Sequence, residues 1–210
     1  MPRCWSISPR IRRFSTVTEA PSERRARFDQ LFAENPDPWD IDTSDYERGK
    51  RKAVLAALGK RRFARMLEVG CAGGALTERL AELASSIVAL DVSTKAIELA
   101  ARRLHRFNSV EFIAAEVPDY WPKGQFDAVI LSEVLYFLSA GEILQVSQLA
   151  HESVTGNGLC LLVNWIGQND LPVDGDTAVK LFLDAAPWQV AKARREEFYR
   201  LDLLERTPGD

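Results

Sequence analysis

One short segment constrains the fold of this chain more than any other, because a strand, a tight turn and a helix follow one another there without a linker. A largely apolar run over Ala64–Val69 predicts a buried strand, and the small residues Gly70–Gly74 follow it at once. Leucines at helical spacing then predict a helix over 74–83. Such a turn lets a ligand approach the backbone, and the free N–H groups at the helix start favour an anionic group such as a carboxylate. The segment therefore predicts a ligand site at the end of the first strand.

Strands and helices alternate along most of the remaining chain. Further strands are predicted over residues 86–91, 110–114, 126–132 and 159–165, the last preceded by the sequence Gly-Asn-Gly at 156–158. Helices are predicted over 22–32, from 43 or 44 to 58, and over 93–105, 141–154 and 176–185. Two final strands, 188–193 and 198–205, are close enough in sequence to form an antiparallel hairpin at one sheet edge. The alternation predicts an α/β fold with a doubly wound, mostly parallel sheet.

An acid ends the second predicted strand. Asp91 follows Gly74 by 17 residues, and in a doubly wound sheet it faces the same crevice as the turn. A carboxylate there can accept hydrogen bonds from both hydroxyls of a ribose and would repel the 2′-phosphate of NADP. The simpler alternative is tight packing of helix against sheet without a ligand. The dinucleotide pattern G-x-G-x-x-G is absent, since residues 70–75 are Gly-Cys-Ala-Gly-Gly-Ala, and this argues against a nicotinamide cofactor.

The composition argues against several classes of function. A net charge of −3 gives no reason to expect a nucleic-acid or anionic-membrane partner. No apolar run approaches the roughly 20 residues that a membrane-spanning helix needs. Three cysteines and two histidines are too few and too scattered for a disulfide framework or a metal centre. We therefore expect a reduced, cytoplasmic protein without a metal.

The first 20 residues differ in composition from the rest of the chain. Up to Thr18 they contain four arginines, several serines and no acid, a composition that resembles a transit peptide. A disordered Arg-rich tail and a start site placed too far upstream are the simpler alternatives, and the tail is the expectation we adopt. Residues 21–206 are predicted to form one domain.

The glycine-rich turn and its strand carry a family resemblance. The pattern Glu68-x-Gly70-Cys71-x-x-Gly74 resembles motif I of the class I S-adenosylmethionine-dependent methyltransferases, with Ala72 where many members have a middle glycine. The resemblance implies a Rossmann-like sheet of seven strands in the order 3-2-1-4-5-7-6, with strand 7 antiparallel. It also implies that Glu68 orients the cofactor, that the turn backbone faces its methionine part and that Asp91 holds its ribose. The N-terminal helices within 21–58 are then expected to cover the cofactor site.

A closer resemblance is to the NodS (nodulation methyltransferase) family, over roughly residues 36–206. The matching segments are Asp37-Pro38-Trp39, Tyr46-Glu47-Arg48-x-Lys50, motif I, Val117-Pro118-x-x-Trp121-Pro122, Leu131-Ser132-Glu133-Val134-Leu135-Tyr136 and Tyr199-Arg200-Leu201-Asp202. The resemblance implies N-methylation of the free amine of a de-N-acetylated chitooligosaccharide or a similar amino sugar, with S-adenosylmethionine as cofactor and S-adenosylhomocysteine as product. Another small-molecule amine or hydroxyl is the alternative acceptor. A nicotinamide-dependent oxidoreductase and a non-catalytic cofactor-binding protein are the other functions that the sequence leaves open.

Candidate site residues follow from the strand ends and from the resemblance. The predicted cofactor-binding residues are Tyr46, Glu68, Gly70, Cys71, Ala72, Gly74, Asp91, Val92, Glu116, Val117 and Ser132. The predicted substrate-binding residues are Trp39, Tyr136, Asn164 and Trp165. Glu133, which follows strand four, is predicted to be catalytic, since it is placed to orient the acceptor amine and could accept its proton. The simpler alternatives are a solvated loop acid for Glu116, a helix-start carboxylate for Glu133 and core packing for the aromatic residues.

We predict that Asp91→Ala weakens the binding of S-adenosylmethionine strongly, because the ribose hydroxyls lose their acceptor. Isothermal titration calorimetry of the variant and of the natural chain compares the two affinities. An unchanged affinity would contradict the assignment of the site to the end of strand two.

Overall fold

The computed structural model describes residues 21–168 and 170–206. The Arg-rich segment 1–20 lies outside the described residues, so the expectation of a disordered tail is not tested. Within the described part, helices pack on both faces of one seven-stranded sheet.

Helices and strands alternate in the order that the sequence predicts. The helices are α1 (Pro21–Glu34), α2 (Asp45–Leu58), α3 (Ala75–Leu80), α4 (Thr94–Arg103), α5 (Ala140–Ser153) and α6 (Gly175–Ala185). The strands are β1 (Met66–Val69), β2 (Ile87–Asp91), β3 (Val110–Ala114), β4 (Phe126–Ser132), β5 (Val154–Trp165), β6 (Trp188–Arg195) and β7 (Tyr199–Arg206). A short 3-10 turn over Leu135–Phe137, which the sequence patterns do not reveal, lies between β4 and α5.

Polar side chains fix the starts of four helices. In each case the residue before the first helical turn accepts a hydrogen bond from a backbone N–H of that turn, which would otherwise have no partner. These residues are Ser44 for α2, Ser93 for α4, Ser139 for α5 and Asp174 for α6. Glu142 completes a capping box at α5 by accepting from the Ser139 N–H.

The strand order of the sheet is β3-β2-β1-β4-β5-β7-β6. Strands β1 to β5 run parallel to one another, whereas β7 is antiparallel to both β5 and β6. This confirms the predicted order and the predicted antiparallel hairpin at one edge. The chain moves outward from β1 in one direction and then resumes at β4 on the other side, so a crevice opens at the carboxyl ends of these two strands.

The fifth strand is longer than the sequence predicts. It begins at Val154 and continues through the Gly-Asn-Gly sequence at 156–158, and its register against β4 shifts between Phe126 and Ala128. A Cβ at Gly158 would lie 2.6 Å from Val154 Cγ1 and 3.0 Å from the Asp127 carbonyl oxygen. The predicted start of the strand at residue 159 was therefore wrong, because Gly158 marks an irregularity within a continuous strand.

Other boundaries also differ by a few residues, as three examples show. Helix α3 ends at Leu80, and the chain to residue 83 continues as turns closed by hydrogen bonds such as Leu83 N–H to the Leu80 carbonyl. Helix α4 ends at Arg103 instead of residue 105. Strand β6 extends to Arg195 because its pairing with β7 continues as far as Arg200.

Both faces of the sheet are buried. Along β4, Val129 and Leu131 belong to the core beneath α5 and α6, whereas Ala128 and Ile130 belong to the core beneath α2 and α3. A central strand in such a sheet is apolar on both faces, which is why residues 128–131 of β4 form a continuous apolar run without alternation.

None of the helices in the described ranges is long and apolar enough to cross a membrane.

We predict that Phe182→Ala lowers the free energy of unfolding by about 3–5 kcal/mol, because a fully buried aromatic side chain leaves a cavity when it is truncated. Phe182 has no exposed surface and stacks on Trp188 with ring centroids 5.8 Å apart. The matched control is Leu144→Ala, since Leu144 on α5 is 37% exposed. Urea unfolding of both variants measures the effect, and equal losses in the two variants would contradict the prediction.

Candidate active site

The turn between β1 and α3 packs against two other elements at its two ends. Gly70 and Gly74 have φ angles of +80° and +81°, a region that residues with a side chain rarely adopt. A Cβ at Gly70 would lie 2.3 Å from Val134 Cγ2, and one at Gly74 would lie 3.2 Å from the Ala100 Cα. A Cβ at Gly73, in contrast, would meet nothing within 4 Å. The ends of the turn are thus fixed by packing, while its middle leaves space beside the backbone.

Ala72 adopts the left-handed backbone conformation that a glycine takes freely. Its φ angle is +47°, which for a residue with a Cβ costs about 1 kcal/mol. The alanine therefore holds a strained conformation that a glycine would adopt without this cost. Its backbone N–H donates to Asp91 Oδ2 at 2.9 Å, a contact that depends on this conformation.

Cys71 lies within the same turn and is buried. Burial raises the pKa of its thiol well above the usual value, and the charges of Asp91 and Glu68 raise it further. A thiol that stays protonated is a poor nucleophile, so Cys71 contributes to the turn through its backbone and its size.

Both carboxylate oxygens of Asp91 are held by backbone N–H groups at the end of β2. Oδ1 accepts from Ser93 N–H and Oδ2 from Ala72 N–H, each at 2.9 Å. Burial raises the pKa of Asp91 to about 6, although these two hydrogen bonds act to lower it. Since each carboxylate oxygen can accept two hydrogen bonds, the side chain keeps capacity for two hydroxyl groups of a ligand. Val92, the next residue, is half-buried.

The Glu68 carboxyl group lies within β1 and is almost fully buried. Its Oε2 has no hydrogen-bond partner among the described residues. Burial raises the pKa of Glu68 to about 7, and the charge of Asp91 adds to the increase. A buried carboxylate oxygen without a donor costs about 1–3 kcal/mol, so the site is suited to a ligand that brings a donor.

Helix α1 lies across the ends of β2 and β3 and is fastened there by buried polar contacts. Arg24 forms an ion pair with Glu116 at 2.7 Å and a second with Glu142 at 3.1 Å. Asp29 accepts hydrogen bonds from Ser93 Oγ at 2.7 Å and from the Lys95 N–H at 3.1 Å. The sequence alone gives no sign that Arg24 is the partner of Glu116, since 92 residues separate them.

Glu116 is predicted to bind the cofactor, and its ion pair with Arg24 competes with that role. Its Oε1 accepts a hydrogen bond from Arg24 Nη1 at 2.7 Å. Val117, which follows it, is buried beneath the same helix-covered end of the sheet. The cofactor contacts of both residues stay predictions.

Glu133 is the centre of a second polar cluster, at the ends of β4 and β5. It follows Ser132, the half-buried last residue of β4, and has a φ angle of +59°. Its Oε1 accepts from Lys50 Nζ at 2.6 Å, and its Oε2 accepts from Tyr136 Oη at 2.6 Å and from Trp165 N–H at 2.8 Å. Three donors therefore occupy the carboxylate that the sequence predicts to be catalytic.

Lys50 and Glu47 belong to this cluster, and the sequence analysis assigns them no site role. Lys50 Nζ lies 2.8 Å from Glu47 Oε1, and the Lys50 side chain is only 9% exposed. Lys50 shares a face of α2 with the buried Ala53 and Val54. A lysine on the apolar face of a helix is unusual, and that pattern could have singled it out.

Aromatic side chains surround the same strand ends. Trp165 stacks on Phe198 with ring centroids 5.3 Å apart and an interplanar angle of 9°. Tyr46 packs edge-on against Trp165 and Tyr199, at 6.2 and 6.0 Å. Tyr46 therefore lies beside the predicted acceptor residues, on the β5 side of the site. Phe198 and Tyr199 are missed by the sequence analysis, because their place depends on how β7 pairs with β5.

Two predicted substrate residues lie apart from this cluster. Trp39 packs on α1, with its ring centroid 5.6 Å from that of Phe32 and 6.4 Å from that of Phe28. Asn164 is fully buried beneath Gly175, and neither polar atom of its amide has a partner among the described residues. Substrate contact by either residue stays a prediction.

Among the described residues, no group of three or more His, Cys, Asp or Glu side chains could hold a metal ion.

Comparison with known proteins identifies the family. A family model for "Nodulation protein S (NodS)" matches residues 25–150. Nodulation protein S of Rhizobium tropici is 36% identical over 112 residues, which make up 52% of this chain and 46% of that protein. The chain spans about half the length of the curated relatives it matches.

Two solved structures have a similar fold. The N-methyltransferase NodS from Bradyrhizobium japonicum WM9, in complex with S-adenosyl-L-homocysteine, is 20% identical, with a TM-score of 0.78 over 88% of this chain and 98% of that chain. A structure from Pseudomonas syringae is 32% identical, with a TM-score of 0.68 over 77% of this chain and 99% of that chain. The first of these, at its low identity, supports the fold alone. Because the family model matches more than half of the sequence, this chain belongs to the nodulation protein S (NodS) family.

Proposed function

We propose that this chain is an S-adenosylmethionine-dependent methyltransferase whose acceptor is an amine. The observation that carries the proposal is the pair of buried acids, Glu68 and Asp91, beside the open middle of the glycine-rich turn. Both have a raised pKa, and both have capacity for hydrogen bonds that the described part of the chain does not fill. A ligand with a ribose and an amino group supplies donors for both. The NodS structure with bound S-adenosylhomocysteine has the same fold, which supports this choice of cofactor.

The residues present fit this cofactor. Asp91 would hold the two ribose hydroxyls, and Glu68 would accept hydrogen bonds from the methionine part. The space beside Gly73 admits the chain of the ligand close to the backbone. Val92, Glu116 and Val117, at the ends of β2 and β3, would border the adenine.

S-adenosylmethionine would supply a methyl group on a sulfonium, which is already activated for direct displacement. The protein then needs mainly to align the acceptor with that group and to exclude water. Glu133, Tyr136 and the Trp165–Phe198 pair lie at the ends of β4 and β5, across the crevice from Asp91, where an acceptor would bind.

An amine suits this arrangement better than a hydroxyl. A neutral amine attacks through its own lone pair and needs no base at that moment, whereas a hydroxyl must give up its proton. Glu133 already accepts three hydrogen bonds. Burial, and then the charge of Glu133, raise the pKa of Tyr136 well above its usual value, so its phenol stays protonated. The cluster thus offers orientation and a negative charge near a developing cation, with little capacity to remove a proton.

The leading acceptor is the free amine of a de-N-acetylated chitooligosaccharide. The stacked rings of Trp165 and Phe198 support a sugar, since Phe198 is 36% exposed and aromatic faces pack well against the C–H face of a pyranose. Another amino sugar or small amine is the alternative acceptor.

We predict transfer of a labelled methyl group from S-adenosylmethionine to chitooligosaccharides that carry a free amine at the non-reducing end. The matched control is the same oligosaccharide with that amine acetylated, for which no transfer is expected because the acetyl group removes the lone pair from reaction. Transfer to both would contradict an amine acceptor. Transfer to neither, by a protein that binds S-adenosylhomocysteine in calorimetry, would exclude these sugars.

We also predict that cofactor affinity depends on pH through Asp91. Hydrogen bonds from ribose hydroxyls favour the ionised carboxylate, whose pKa in the free protein is about 6. Binding should therefore lower that pKa, and the affinity for S-adenosylhomocysteine should fall about tenfold between pH 7 and pH 5 as Asp91 becomes protonated.

Calorimetry at several pH values measures this dependence, and Asp91→Asn is the matched variant. Its affinity should be lower, and it should depend on pH less strongly over the same range than that of the natural chain. Since Glu68 titrates close by, with a pKa of about 7, Glu68→Gln separates the contributions of the two acids. An affinity of the natural chain that is flat from pH 5 to pH 7 would rule out a ribose contact to ionised Asp91.

A further inference from the structure

The ammonium group of Lys50 is buried between two acids at the acceptor end of the crevice. Its Nζ lies 2.6 Å from Glu133 Oε1 and 2.8 Å from Glu47 Oε1. It also lies 5.2 Å from the centroid of the Tyr46 ring, within range of a cation–π contact. The three charged side chains are between 9% and 22% exposed, so water screens them poorly.

Stability alone does not account for a lysine in this place. Removing an ammonium and a carboxylate from water costs several kcal/mol, and their attraction often does no more than offset that cost. Burial lowers the pKa of Lys50, but the charges of Glu133 and Glu47 raise it by more, so Lys50 remains a cation. The same volume could be filled by an apolar side chain that packs with Ala53 and Val54.

The geometry shows what the cation does to Glu133. With Oε1 bound to Lys50, the carboxylate is fixed, and Oε2 is directed to Tyr136 Oη and Trp165 N–H. The Tyr136 hydroxyl therefore donates its proton to Glu133. A phenolic oxygen whose proton is committed in this way can still accept a hydrogen bond. It is then an acceptor for an N–H group and cannot rotate its own proton toward the amine lone pair.

We propose that Lys50 is a positioning residue of the acceptor site, which acts through Glu133 to hold the Tyr136 hydroxyl as an acceptor for an N–H of the bound amine. That hydrogen bond turns the amine lone pair away from the phenol and toward the transferred methyl group. The inference rests on the proposed function, since it concerns the amine that this reaction uses. Lys50 itself carries no reacting group and touches no substrate atom.

The test compares Lys50→Met with Lys52→Met, the same substitution at an exposed position of the same helix. We expect Lys50→Met to lower kcat for the amine about 10- to 100-fold, as misalignment of a reacting group does, with a smaller change in KM. The affinity for S-adenosylhomocysteine should stay within about twofold, because Glu68 and Asp91, which would hold the cofactor, lie on β1 and at the end of β2. Lys52→Met should leave all three quantities unchanged. A fall in KM at unchanged kcat would overturn the proposal, since Lys50 would then compete with the acceptor for the carboxylates.

A double-mutant cycle with Tyr136→Phe tests the route through the hydroxyl. If Lys50 acts through Tyr136, the double variant Lys50→Met, Tyr136→Phe loses no more activity than Tyr136→Phe alone. Losses that multiply would show that Lys50 acts by another route. Where Lys50→Met unfolds at the assay temperature, Lys50→Gln replaces it in the cycle, because the amide keeps a donor without the charge.

A crystal structure of the Lys50 variant with S-adenosylhomocysteine gives a readout that does not depend on turnover. The expected result is a rotated Glu133 carboxylate and loss of the 2.6 Å contact between its Oε2 and Tyr136 Oη. An unchanged contact overturns the positioning role whatever the activity. If the natural chain transfers a methyl group to no amine, the proposed function itself is overturned. That result is distinct from a failure of the positioning role, which is measured by comparing the variants with an active natural chain.

Discussion

The carboxylate of Asp91 is the contact on which the cofactor end of the structure depends. It receives the N–H groups of Ala72 and Ser93 and so joins the β1–α3 turn to the end of β2 and to the start of α4. Neither N–H has another partner in a strand or a helix, because both lie where the regular pattern ends. The side chain that shapes the turn is thus the one with remaining capacity for a ribose, and the fold and the ligand use different lone pairs of the same group.

The acids at the two ends of the crevice differ in how many of their hydrogen-bond donors the chain itself supplies. Glu68 and Asp91 are buried, burial raises their pKa values to about 7 and about 6, and both can accept further hydrogen bonds. The donors for these hydrogen bonds are left for a ligand to supply. Glu133, in contrast, already accepts hydrogen bonds from Lys50, Tyr136 and Trp165 of the chain itself. Under the proposed function, cofactor binding is coupled to the release of protons, whereas the acceptor end is arranged before the acceptor arrives. Such an arrangement suits a reaction in which alignment supplies most of the catalysis.

Local patterns predict the parts of the structure that depend on neighbours in sequence. The apolar run before Gly70 and the acid at the end of β2 locate the cofactor end, because strand, turn and helix are adjacent there. The Lys50–Glu133 contact spans 83 residues and requires α2 to lie over the end of β4, which no periodicity reveals. Asn164 shows a different limit. Its position at a strand end was predicted, but alternation places it in phase with Cys160 and Leu162, on the face covered by α6.

Several features that oppose stability meet at the acceptor end. Glu133 has a left-handed backbone at φ +59°, Lys50 is a buried cation, and the Tyr136 hydroxyl is buried against a carboxylate. Each of these costs free energy that an apolar core would avoid. The strain at Glu133 has a geometric effect, since a regular extension of β4 would direct its side chain into the core beside Leu131, whereas the left-handed turn directs it to Lys50 and to the end of β5. Strain concentrated at one point and combined into one hydrogen-bond network is typical of a functional site, and here it fixes the direction of a single hydroxyl proton.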